Sequence, residues 1–276
     1  MVTRSLCILL LVIISTLTHA EGMNDTDVHI MQTQSEDGTR IYTAHNEALL
    51  PIEVEIAATL VNNVHTDPTL PLRHVLQPHE SLRLFSVVPI DRTRTAEFTF
   101  HYEEVYGDPA SEHDSNTYYA LPFGDGQRFR VTQGFNGTVS HHDDQNRYAV
   151  DITMPEGTSL YASRSGKVVK IQDGEYRSGQ TADLTEKANL IRILHDDGTM
   201  SVYAHLKAGR IFVDEGDWVV TGDLLAESGN SGFSSGPHLH FVVQRNSGMK
   251  LVSIPFSWIL EDGRTLAPKE GQWLER

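Results

Sequence analysis

Beyond residue 7 the chain has no cysteine. The one thiol, Cys7, falls within the first twenty residues, so the rest of the 276-residue chain can form neither a disulfide nor a cysteine-ligated metal site. Any metal must then be held by His, Asp or Glu. Positive charge is scarce too, with 22 Lys and Arg against 37 Asp and Glu and a formal net charge of −15 at pH 7. A nucleic-acid partner needs a basic face that this composition does not offer. No apolar run after Ile14 approaches the ~20 residues of a bilayer span, which excludes stable membrane insertion of the later chain. The first half also lacks a convincing amphipathic-helix pattern.

What stands at the start is an export pattern. Residues 1–20 (MVTRSLCILLLVIISTLTHA) hold one charge, Arg4, then nine apolar residues from Leu6 to Ile14, then small residues ending at Ala20. This is the order of a secretory signal peptide cleaved after Ala20, and nine apolar residues are too few to anchor in a ~30 Å bilayer. Cleavage removes Arg4 and takes the formal charge from −15 to −16. A periplasmic or secreted protein is expected.

The remaining chain alternates apolar and polar residues with period two. Segments at 39–45, 51–60, 81–88 and 95–102 are separated by Asn, Asp and Pro clusters, which predicts short antiparallel strands. Further strands are predicted at 129–133, 147–153, 166–172, 190–195, 200–206 and 238–244, with turns at Asp196-Asp197-Gly198 and Asn230-Ser231-Gly232. The expected fold is all-β. A small β-sandwich-like domain over residues 21–106 precedes a polar linker at 107–118, a larger antiparallel β domain at 119–262 and a tail at 263–276.

Histidine is abundant, with 14 in the chain. Those of the first half share no spacing, and His195 is expected at a strand end. In the stretch SGPHLHFVV, from Ser235 to Val243, strand alternation turns His238 and His240 to one face and Leu239 and Phe241 to the other. Asp151 is an acid inside the otherwise uncharged run Tyr148 to Met154. A buried carboxylate needs a partner, either a cation or Arg147, which shares its face if the strand is regular. The acidic loop HHDDQNR can fold His141 or His142 back beside Asp151. In Ser201 to Leu206, regular alternation sets Val202, Ala204 and Leu206 on one face and Tyr203 and His205 on the other. Three protein ligands leave an open position on zinc, and spare imidazoles beside such a site can move protons.

These stretches resemble the lysostaphin-type (LytM-like) zinc metalloendopeptidases that cut peptide bridges of bacterial peptidoglycan. The resemblance is carried by Asn146 to Thr158 (NRYAVDITMPEGT), Val202 to Leu206 (VYAHL) and Gly229 to Phe241 (GNSGFSSGPHLHF). It implies an antiparallel β catalytic domain with a groove and a Zn2+ cofactor. His141, Asp151 and His240 would be the metal ligands, and His205 and His238 the catalytic histidines. The family's common first histidine stands four residues before the aspartate, where this chain has Arg147, so His141 is favoured from the Ser140-His141 pair. Hydrolysis of peptidoglycan peptide cross-links is the implied activity; an inactive wall-binding module or amidase activator is the alternative. A linker group such as His113 or Asp114 could close the open metal position at rest.

Overall fold

The structure is a computed structural model that describes residues 26–276; the signal peptide expected at 1–20 lies outside the described residues. The described chain folds into strands and one short 3-10 turn at Ala182–Leu184, so the all-β expectation holds. No helix among the described residues is long and apolar enough to cross a membrane. Two compact units are present, one of residues 26–48 and 54–104, the other of 49–53 and 105–276, so residues 107–118 belong with the second.

The strands that build the first unit are β1 (Val28–Gln34), β2 (Arg40–Asn46), β3 (Ile52–Asn62), β4 (Val64–Asp67), β5 (Leu72–Leu76), β6 (Ser81–Pro89) and β7 (Glu97–Tyr106). They form a four-stranded sheet in the order β1-β2-β6-β4 and a three-stranded sheet in the order β5-β3-β7. Alternation buries Tyr42 and Ala44 from one sheet and Val54, Ile56 and Phe98 from the other. Tyr42 stacks on Phe85 at 4.6 Å and meets Phe98 at 5.9 Å, an aromatic centre that suits the small β-sandwich the sequence suggests.

In the second unit the shorter strands are β8 (Tyr119–Ala120), β11 (Ser159–Tyr161), β13 (Ser178–Gly179), β16 (Leu206–Ile211), β18 (Leu224–Ser228), β19 (Gly232–Phe233), β22 (Trp258–Ile259) and β23 (Thr265–Leu266). The dominant sheet is built from β9 (Arg128–Gln133), β10 (Val150–Thr153), β12 (Gly166–Gln172), β14 (Leu190–Leu194), β15 (Met200–Ala204), β17 (Trp218–Val219), β20 (His238–Asn246) and β24 (Trp273–Glu275). Its order is β17-β12-β14-β15-β20-β10-β9-β24, and β21 (Leu251–Ser253) adds to β20. The stretch read as a C-terminal tail thus supplies the edge strand β24, anchored by the fully buried Leu274. One face of the sheet buries Val150, Ile152, Tyr203, Leu239 and Phe241 in the main core. The opposite face carries a smaller apolar cluster of Ala149, Val202, Ala204 and Val242, and on this face the chemistry is assembled.

Two predicted strands are shorter than expected, for physical reasons. The run expected from Arg147 begins as a strand only at Val150. Arg147 lies in the preceding turn, 3.4 Å from Asp144, and is not the partner of Asp151. The run from Met200 to Leu206 is broken at His205, which adopts a left-handed conformation with φ +63°.

His195 follows β14 and is buried, its Nδ1 2.9 Å from the Ser165 carbonyl oxygen and its Nε2 3.1 Å from Ser201 Oγ. Burial pushes its pKa down to about 4 against the usual 6.5, so the folded chain keeps the ring neutral. The unfolded chain takes up the proton first as pH falls. The stability due to this group is therefore complete above about pH 6.5 and is lost progressively down to about pH 4, by up to about 3 kcal/mol. Denaturant titrations at pH 7.5 and 4.5 should show a smaller acid loss in His195→Gln than in wild type; equal losses would refute this.

Candidate metal centre

Four neighbouring strands place one row of side chains across the second sheet face. Gln133 on β9 pairs with Asp151 on β10, Asp151 with His240 on β20, and His240 with Ala204 on β15. Thr153 pairs with His238 in the next row but one, so Asp151, His238 and His240 share a face. Leu239 and Phe241, fully buried in the main core, fix β20 from behind.

Three of the five proposed residues converge. His141 Nε2 lies 3.2 Å and His240 Nδ1 2.9 Å from the same oxygen, Asp151 Oδ1. These donor atoms all fall within 4.8 Å of one another. His141 reaches the cluster from the turn after β9 and is fully buried, whereas its neighbour His142 is exposed. His238 Nε2 stands 3.8 Å from Asp151 Oδ1, and the His205 ring lies 4.5 Å from His238 and 5.9 Å from His240, centroid to centroid. His113 is not among them: it sits 3.5 Å from Asp197.

Backbone carbonyls assign the ring tautomers, because a carbonyl oxygen can only accept. His141 Nδ1–H donates to Gly134 (3.0 Å), His205 Nδ1–H to Ser231 (2.7 Å) and His238 Nδ1–H to Gly236 (2.8 Å). His205 and His238 thereby present an Nε2 lone pair, while His141 turns its Nε2 toward Asp151 Oδ1. Burial, then the nearby His238 and His240, push the His205 pKa down to about 3; burial also lowers that of His238. Both therefore stay neutral at ordinary pH. Burial alone would raise the Asp151 carboxyl, but hydrogen bonds from His141 and His240 outweigh it and hold the group well below the usual carboxylate range.

Regular alternation would send His205 into the core with Tyr203. Its left-handed backbone reverses the parity, so that Leu206 joins Tyr203 in the core and His205 turns to the face of His240. Asn189, itself fully buried, secures this kink: its backbone oxygen accepts from Leu206 N (3.1 Å) and its Nδ2 donates to Leu206 O (3.0 Å). The carbonyl that holds His205 belongs to Ser231, just before Gly232. Gly232 has φ +75°, and a Cβ there would stand 2.5 Å from Ala188 N, so glycine is required. Neither Asn189 nor Gln133 stands out in the sequence as functional.

The donor set fits zinc. Two imidazoles and a carboxylate with no thiol are typical zinc ligands, and at bonds of ~2.0–2.1 Å tetrahedral ligand atoms stand roughly 3.3 Å apart. The 3.2 and 2.9 Å separations are close to this spacing.

Residues 145–251 match the profile described as Peptidase family M23, a span that includes Asp151, His205, His238 and His240 and begins just after His141. Lysostaphin of Staphylococcus staphylolyticus is 34% identical over 115 residues, which cover 41% of this chain and 20% of that protein. Peptidoglycan DD-endopeptidase ShyA of Vibrio cholerae is 35% identical over 91 residues, covering 33% of this chain and 18% of that protein. The chain thus spans about a fifth of the length of these relatives. Among solved structures, the catalytic domain of lysostaphin from Staphylococcus simulans aligns with 28% identity and a TM-score of 0.32, covering 44% of this chain and 82% of that one. Residues 145–251, which hold four of the five candidate site residues, are thus similar to peptidase family M23 domains of the lysostaphin type.

Proposed function

We propose that the protein is an exported zinc endopeptidase that hydrolyses peptide cross-links of peptidoglycan. The observation that carries this reading is the convergence of His141, Asp151 and His240 on one point with two further neutral imidazoles, His205 and His238, alongside. A purely structural metal site has no need of the extra pair. The substrate class is drawn from the relatives, one of which is a peptidoglycan DD-endopeptidase.

In this reading His141 Nε2, Asp151 Oδ1 and His240 Nδ1 hold the ion. When bound, zinc supplies a Lewis-acidic charge that polarises the scissile carbonyl and makes water more acidic. His205 and His238, each anchored through Nδ1–H to a backbone carbonyl, present Nε2 lone pairs, and one of these takes the proton of the attacking water. The ring that does so becomes a cation. Its Nε2–H can then stabilise the charge growing on the carbonyl oxygen and protonate the departing amine. The backbone anchors keep both rings from rotating away, so the proton acceptor is already oriented before substrate arrives.

Metal analysis of protein purified without added chelator tests the first half of the reading. About one zinc per chain is expected in wild type and almost none in His240→Ala. Metal-free wild type that also fails to take up added zinc would instead favour a wall-binding module that has kept the fold.

A further inference from the structure

We propose that Gln133 is a positioning residue that limits Asp151 to one metal-facing oxygen and ties it to the turn bearing His141. The proposal rests on the reading of His141, Asp151 and His240 as zinc ligands. Gln133 is 7% exposed and uses its whole amide. Nε2 donates to Asp151 Oδ2 at 2.9 Å and to Ser140 Oγ at 2.8 Å. Oε1 accepts from the backbone N–H of Val139 at 3.0 Å and of Ser140 at 3.2 Å. Two donors and two acceptor sites are thus all engaged, and the opposite orientation of the amide would break the bond to the Asp151 carboxylate and both bonds from the backbone N–H groups.

Two consequences follow for Asp151. Its Oδ2 is occupied by an N–H, while Oδ1 alone faces the nitrogens of His141 and His240. Rotation that brings both oxygens to the ion would cost the Gln133 bond, so binding through one oxygen is favoured and more of the coordination sphere stays free for water and substrate. A neutral amide does this without adding a second negative charge beside the carboxylate, which glutamate at this position would do.

The same side chain reaches the turn that carries His141, so two ligands ten residues apart are linked through one amide. The geometry also accounts for Gly137: a Cβ there would stand 2.3 Å from Gln133 Cγ and 2.8 Å from its Oε1, so the turn closes over the glutamine only with glycine in that place. Gln133 faces Asp151 because the register shifts between Asp151 and Ile152. Thr132 is the extra residue, with Val131 opposite Ile152 and Gln133 opposite Asp151.

Two variants separate the functions. Gln133→Met removes every polar contact at similar length. Gln133→Glu still accepts from Val139 N and Ser140 N, which keeps the turn, but cannot donate to Asp151 when ionised. Zinc affinity measured by competition with a chromophoric chelator should fall about 10- to 100-fold in both. At saturating cobalt(II), the visible absorption of the substituted protein should also change in both, reporting an altered ligand field that a merely structural role would leave alone. Folding of each variant is checked by thermal melting of the apo form; should Gln133→Met fail to fold, Gln133→Glu decides. Wild-type affinity and cobalt spectrum retained in a folded variant would overturn the proposal alone. A wild-type chain that binds no zinc would overturn the metal reading and the proposal with it.

Discussion

Replacing His240 with alanine should empty the site of zinc and lower peptide-bond hydrolysis by about 10³-fold or more, a modest part of the ~10⁶-fold or larger acceleration typical of enzymes. The reason is geometric. His240 Nδ1 stands 2.9 Å from Asp151 Oδ1 across two paired strands, and no other described residue on that row can replace its nitrogen, because its other cross-strand neighbour is Ala204. Asp151→Asn is the companion variant: it keeps the size and one acceptor but removes the charge that compensates the cation, and should likewise lose zinc. Both are read by metal analysis and by release of soluble fragments from purified cell wall. Zinc retained at wild-type stoichiometry in His240→Ala would place the metal elsewhere.

A different pattern is expected for His205→Asn. Asparagine tolerates the left-handed backbone found at this position, so the kink between β15 and β16 should survive. The lost Nε2 lone pair should lower kcat by about 10²- to 10⁴-fold, the usual worth of a positioned proton acceptor. Zinc content should be unchanged, because His205 is not among the three converging donors. Steady-state kinetics with parallel metal analysis distinguishes the cases. Loss of zinc would make His205 a ligand, and unaltered kcat would remove it from the reaction.

Much of this arrangement was legible from period-two alternation. The strands around Arg40–Asn46, Ser81–Pro89, Gly166–Gln172 and Leu190–Leu194 stand close to where the pattern puts them, and the alternation is cleanest in Arg40–Asn46 and Leu190–Leu194, where one face is buried. The shared face of His238 and His240 follows from the same rule, and so does the burial of Leu239 and Phe241. What alternation could not show are the two places where parity breaks. At His205 a positive φ turns a side chain that would have entered the core out to the metal face. At Thr132 an extra residue turns Gln133 to Asp151. Both breaks depend on tertiary contacts, the Asn189 bonds around Leu206 and the turn closing over Gln133, which leave no periodic trace. The placement of His141 is of the same kind: it sits on an irregular turn, where spacing to Asp151 gives no direction, and only the folded turn brings it, and not His142, to the carboxylate. The role of residue 147 was open for the opposite reason, since a regular strand would have paired it with Asp151 and the observed turn pairs it with Asp144.

The most direct test of the central claim is mass spectrometry of the soluble fragments released from purified peptidoglycan by wild-type, chelated and zinc-reconstituted protein. Zinc-loaded wild type should release peptide fragments with newly freed amino and carboxyl ends, one water gained for each bond cut; chelation should stop the release and zinc should restore it. Zinc-loaded protein that generates no new peptide ends, or metal-free protein that generates the same ones, would contradict the account.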